Sequence, residues 1–123
     1  MNLTKNFHIE EFNCHCGCET PEYARMNIIL LADELQKLRI KLGKPIIIHS
    51  GYRCEKHNNK VKGAKHSQHL LGKAADFKVP DMDLNEVYVI LTRMIESGEM
   101  EQGGLHLYSS FIHYDIRGTK ARW

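Results

Sequence analysis

No run of about 18 apolar residues occurs anywhere in this 123-residue chain, so no membrane-spanning helix is expected. Charge of one sign is also scarce. Lys and Arg number 17 against 15 Asp and Glu, a formal charge of +2 scattered along the chain, and nucleic acid is not an expected partner. Repeats, low-complexity tracts and Pro/Gly/Ser linkers are missing, which leaves one domain over 1–123 with residues 1–20 as an N-terminal arm. The opening MNLTKNFHIEEF has no apolar h-region and carries acids early, so no signal peptide is expected and synthesis in the cytoplasm is. An apolar content of 42% is enough for an ordinary core.

Four cysteines and eight histidines stand out instead. Cys14, Cys16 and Cys18 alternate, and Cys54 follows Arg53. This is not the C-x₂-C spacing of common zinc fingers. Three readings stay open: a structural metal site joining the arm to the segment that presents Arg53, a disulfide from the arm to Cys54, or four reduced thiols.

Thr20 as N-cap and Pro21 at the first helical position open a helix whose stripe is Ile28, Leu31, Leu35, Leu38 and Leu42. Gly43 ends it, and the stripe is too short for a dimerisation seam, so a monomer is expected. Ile46–Ile48 reads as a buried strand running into a turn at Ser50-Gly51-Tyr52-Arg53. A short polar helix over 54–61 and a loop from Gly63 to Gly72 lead to a second strand, Ala74–Val79. Asp83 and Glu86 form a capping box for a helix through Val87, Ile90, Leu91, Met94 and Ile95. Two late strands, Leu105–Tyr108 and Phe111–Ile116, are linked at Ser109-Ser110. The fold class is α+β, with a small, mainly antiparallel sheet flanked by helices. The tail ending in Trp123 is expected to pack back onto the domain.

The stretch Ser67-Gln68-His69-Leu70-Leu71-Gly72-Lys73-Ala74-Ala75-Asp76 carries the chemistry. A catalytic zinc takes three N or O ligands and keeps a fourth position for water, whose pKa it lowers to about 7. His69 just before a strand and Asp76 inside it can meet through a turn at Gly72, and the last strand offers His113 as the third ligand. Asp115, two residues on, faces the same way.

Ser67-x-His69-x-x-Gly72-x-Ala74-x-Asp76 resembles the signature of the zinc D-alanyl-D-alanine carboxypeptidases, within the metallopeptidases named for lysostaphin, D-Ala-D-Ala metallopeptidases and sonic hedgehog. Ser50-Gly51-Tyr52-Arg53, His57-Asn58, Val61-x-Gly63-Ala64 and His113-x-Asp115 extend the resemblance over residues 45–118 and the helix before them. It implies Zn²⁺ on His69, Asp76 and His113, and Arg53 in the cleft holding a substrate carboxylate or scissile carbonyl, with Ser67 beside it.

It also implies a zinc metallopeptidase acting on peptidoglycan peptides, as a D-Ala-D-Ala carboxypeptidase. The alternatives are a stem-peptide endopeptidase and a zinc-bearing module that binds without turnover. Action on the wall would follow release from the cell, or belong to a phage or prophage lysis component. The chain departs from the family where a general base is expected. Ser110 stands where many members carry an acid, and Phe111 where others carry a histidine. Asp115 is the leading substitute, with orientation of a metal histidine as its other reading. His106 is a further candidate, and His49 is a neighbour without a role.

Overall fold

The computed structural model describes residues 1–123. Five strands form one sheet: β1 (Ile47–Ser50), β2 (Ala74–Lys78), β3 (Gly104–Leu107), β4 (Ile112–Asp115) and β5 (Ala121–Arg122). They lie in the order β1-β2-β4-β3-β5, antiparallel except where β5 joins β3. Three helices flank them: α1 (Glu22–Leu42), α2 (Glu55–Lys60) and α3 (Leu84–Glu96). No helix is long and apolar enough to cross a membrane. The α+β class with a mainly antiparallel sheet is thus the observed one.

Strand alternation gives the sheet two faces of opposite character. Ala75, Phe77, Leu105, Ile112 and Tyr114 point into the core, where Ile28, Leu31, Leu35 and Leu38 of α1 and Val87, Leu91, Met94 and Ile95 of α3 also lie buried. On the other face the pairing sets Ser50 opposite Asp76, Asp76 opposite His113 and His113 opposite His106. One polar row therefore crosses four strands.

Several local expectations shift. Pro21 is itself the extended residue capping α1, and Thr20 Oγ1 lies 3.4 Å from Asn13 Oδ1 instead. Asp83 caps α3 through the backbone N–H of Asn85 (2.7 Å), with no reciprocal bond from Glu86. The isoleucine run is not a buried strand. Side chains alternate along this segment, so Ile46 is buried and Ile48 packs against the core while Ile47, between them, is exposed. The arm is part of the body: Phe7 and Phe12 are core residues. Gly51 approaches Phe12 so closely that a Cβ there would lie 2.7 Å from the Phe12 Cα.

Candidate metal centre

A β-bulge at His49 sets up the site. Ile47 and Ile48 pair in regular register with Lys78 and Phe77, but the next pair is Ser50 with Asp76. The extra residue turns His49 out to solvent and puts a hydroxyl where an imidazole would stand. His69 comes from a single 3-10 turn, Gln68–Leu71, capped by Ser67 Oγ, which accepts from the His69 N–H at 3.1 Å. Helix α1 holds that turn: Tyr23 Oη and Asn27 Nδ2 donate to the carbonyls of Leu70 and Leu71 at 3.2 and 2.8 Å. Gly72 closes it in the left-handed region (φ 75°), and a Cβ there would meet the Ala24 carbonyl at 2.6 Å.

These constraints bring His69, Asp76 and His113 together, all buried, with one donor atom from each within 4.8 Å of the others. Asp76 lies between the two rings, Oδ2 at 3.2 Å from His69 Nε2 and Oδ1 at 3.0 Å from His113 Nδ1. His69 Nδ1 sits 2.7 Å from the Gly51 carbonyl, which only accepts, so Nδ1 carries the proton and Nε2 presents a lone pair. Nε2 is the one buried side-chain nitrogen or oxygen without a hydrogen-bond partner; its approach to Asp76 Oδ2 lacks hydrogen-bond geometry. A buried lone pair aimed at a carboxylate is what a metal ion would satisfy. The donor set of two imidazoles and a carboxylate fits zinc.

A family model described as Peptidase M15 matches residues 5–115. The chain belongs to the peptidase M15 family. It is similar to the peptidoglycan L,D-endopeptidase MepK of Escherichia coli K12, at 32% identity over 76% of this chain and 52% of that protein. It is also similar to the zinc D-Ala-D-Ala carboxypeptidase of Streptomyces albus G, at 41% identity over 43% of this chain and 21% of that protein. The chain thus spans about half the length of the curated E. coli relative it matches.

Around the M15 cluster the charges interlock. Burial opposes ionisation of Asp76, but the His113 and His69 imidazoles beside it outweigh burial and hold the carboxyl well below the usual range. Burial likewise works to lower the His113 pKa, and hydrogen bonds to Asp115 and Asp76 reverse that and raise it. His113 Nε2 donates to Asp115 Oδ2 at 2.8 Å, which leaves Nδ1 as the nitrogen facing Asp76.

Asp115 is saturated. Its Oδ1 accepts from the Gly104 N–H (2.8 Å) and from Arg117 N (3.1 Å) and Nε (2.9 Å), while Oδ2 accepts from His113 and from Arg117 Nη2 (2.7 Å). With 0% of its surface exposed, it has no lone pair turned to solvent. That environment suits orienting His113, not taking a proton from water.

A cavity of about 540 Å³ opens over the cluster. Arg53 reaches it with its guanidinium held from behind: Nε donates to Ser50 Oγ (3.2 Å), Nη1 to Asn58 Oδ1 (3.3 Å) and Nη2 to Asp76 Oδ2 (3.2 Å). Ser67 lines the cavity too, though its hydroxyl is engaged in the cap. His106 does not line it. Trp123 stacks over that ring (centroids 5.3 Å apart, planes 7° apart) and meets His113 edge-on at 5.1 Å.

Tyr108, Phe111, Arg117 and Trp123 also form this wall, where the sequence pattern does not place them. Tyr108 and Phe111 stack at 4.5 Å, and Trp123 Nε1 donates to Tyr108 Oη at 3.1 Å. The aromatic, basic tail was the available signal, but only the β5–β3 pairing brings it to the site.

Proposed function

We propose that the protein is a zinc metallopeptidase that hydrolyses peptide bonds of bacterial peptidoglycan, releasing the C-terminal D-alanine of the stem peptide. The observation that carries this reading is the partnerless lone pair of His69 Nε2 beside Asp76 and His113 Nδ1. A zinc ion held by those three residues supplies a Lewis acid for the scissile carbonyl and lowers the pKa of a bound water to about 7.

The chain's own groups supply the rest. Gly51 and Asp115 fix the two imidazoles in the tautomers that face the ion. Three of the five guanidinium N–H groups of Arg53 are tied inward. The remaining donors are available to a terminal carboxylate, or to the carbonyl being attacked, as a charge-assisted pair. Tyr108, Phe111 and Trp123 offer an apolar wall to the substrate's side chains. Cleavage inside the stem peptide is the second reading, favoured by the L,D-endopeptidase name of the relative that aligns over more of the chain.

Zinc-loaded protein incubated with purified peptidoglycan, with products identified by mass spectrometry, tests both. Free D-alanine supports the first reading and larger peptides the second. Absence of any zinc-dependent product refutes hydrolysis and leaves a zinc-bearing binding module. His69→Ala should abolish zinc at this cluster and all turnover; cleavage that persisted in that variant would overturn the site.

A further inference from the structure

Outside the residues that line the cavity, four cysteines spread over the sequence converge. We propose that Cys14, Cys16, Cys18 and Cys54 hold a second, structural zinc ion that clamps the N-terminal arm to the segment presenting Arg53. The four Sγ atoms all lie within 4.8 Å of one another. Cys14–Cys16, Cys16–Cys54 and Cys14–Cys54 are separated by 3.4, 3.5 and 3.8 Å. Zinc–sulfur bonds of about 2.3 Å in a tetrahedron place sulfurs about 3.8 Å apart, so these separations are close to the edges of such a site. A disulfide needs about 2.0 Å between one pair and gives no reason for the other two sulfurs to gather.

The backbone is arranged for this convergence. In an extended strand, side chains two apart sit about 6.6 Å from each other, too far to share an ion. Here Gly17 turns the chain in the left-handed region (φ 83°), and its N–H donates to the Cys14 carbonyl at 3.0 Å. The sulfurs also receive N–H donors as thiolates do. Cys54 N points to Cys14 Sγ (3.4 Å), Cys18 N to Cys16 Sγ (3.4 Å) and His57 N to Cys54 Sγ (3.3 Å). An all-sulfur set of four has no open position for water, which marks it as structural. Cys16 and Cys18 are exposed, so the ion has a path in.

The clamp acts on the metal centre through the backbone. Cys54 is the neighbour of Arg53, Tyr52 N–H donates to the Phe12 carbonyl (2.9 Å), and Arg53 N–H donates to the His69 carbonyl (3.0 Å). The same segment supplies the Gly51 carbonyl that fixes the His69 ring. Ligands on residues 14–18 and 54 therefore hold both the guanidinium and one imidazole in place.

This proposal stands on the cysteines alone, and its test uses a chain whose other site is disabled. Full-length His69→Ala protein, stripped and titrated with Co²⁺, should bind about one equivalent and develop intense thiolate-to-cobalt charge-transfer absorption that zinc then displaces. By elemental analysis the unsubstituted protein should carry about two zinc equivalents per chain, and His69→Ala or Cys16→Ser/Cys18→Ser about one.

Thiol titration needs no variant at all. The four thiols should react slowly in zinc-loaded protein and fully once a chelator is added. Prompt reaction of all four in the zinc-loaded protein, a disulfide found by mass spectrometry, or cobalt binding without the charge-transfer band would each overturn the clamp. None of these readouts depends on peptidase activity.

Discussion

His113 and Asp115 share β4 and the same face, separated by the core residue Tyr114, and their division of labour follows from their partners. An aspartate that accepts five hydrogen bonds while wholly buried is a fixed acceptor. Asp115→Asn should therefore weaken zinc binding about 10- to 100-fold, as loss of a ligand-orienting partner does. Competition with a chromogenic chelator measures it. Unchanged zinc affinity with a collapse in kcat would instead return Asp115 to proton abstraction.

Acid should expose the same residue. Burial disfavours the charged form of Asp115, yet the His113 and Arg117 hydrogen bonds hold its folded pKa below the ordinary value of about 3.9. A folded pKa below the unfolded one contributes stability above the unfolded value, lost as pH falls through the folded one. Metal-free protein should lose melting temperature below about pH 4, less steeply in Asp115→Asn, by thermal unfolding across pH. That His69, Asp76 and His113 could meet was readable, the first two from one local stretch and His113 from the His-x-Asp pattern of the last strand. The fate of Asp115 was not, since it depends on Arg117 and Gly104 across the hairpin.

Among the elements, helices α1 and α3 were legible from their periodic stripes, whereas the sheet hid its order and its edge. Nothing in Ile46–Ile48 states that β1 has a partner on one side only, or that a bulge would exchange His49 for Ser50 opposite Asp76. The bulge matters because Ser50 Oγ is one of three acceptors aiming Arg53. Helix α2 supplies another. Asn58 is 1% exposed, accepts from Arg53 Nη1 and donates to the Ala64 carbonyl at 2.9 Å. Asn58→Ala removes the brace and strands a carbonyl, costing about 1–3 kcal/mol of stability. With the guanidinium loosened, kcat/KM should fall at least tenfold while zinc content holds. Steady-state kinetics beside metal analysis separates this from general unfolding, in which zinc would be lost as well.

For the molecule as a whole, both ends of the described chain fold back onto the middle, and this is where sequence pattern said least. The arm places Phe7 and Phe12 in the core and its cysteines beside Cys54. The tail adds β5 to β3 and lays Trp123 against His106, His113 and Tyr108, beyond the residues 5–115 that the family model matches. That the tail packs back onto the domain is the expectation from sequence, but a two-residue strand and a lone tryptophan carry too little periodicity to say against which residues. Trp123 remains 53% exposed, so its ring contributes little to the core, and its open area faces the cavity. Trp123→Ala should therefore leave the melting temperature within a few degrees of the parent. It should also leave zinc content unchanged, because His113 keeps Asp115 and Asp76 as partners. Removing one aromatic wall should raise KM for peptidoglycan peptides several-fold with kcat nearly constant, the signature of lost binding felt equally in ground and transition states. An equal fall in kcat would mean that the ring helps hold His113 in register, and the tail would then belong to the metal centre itself.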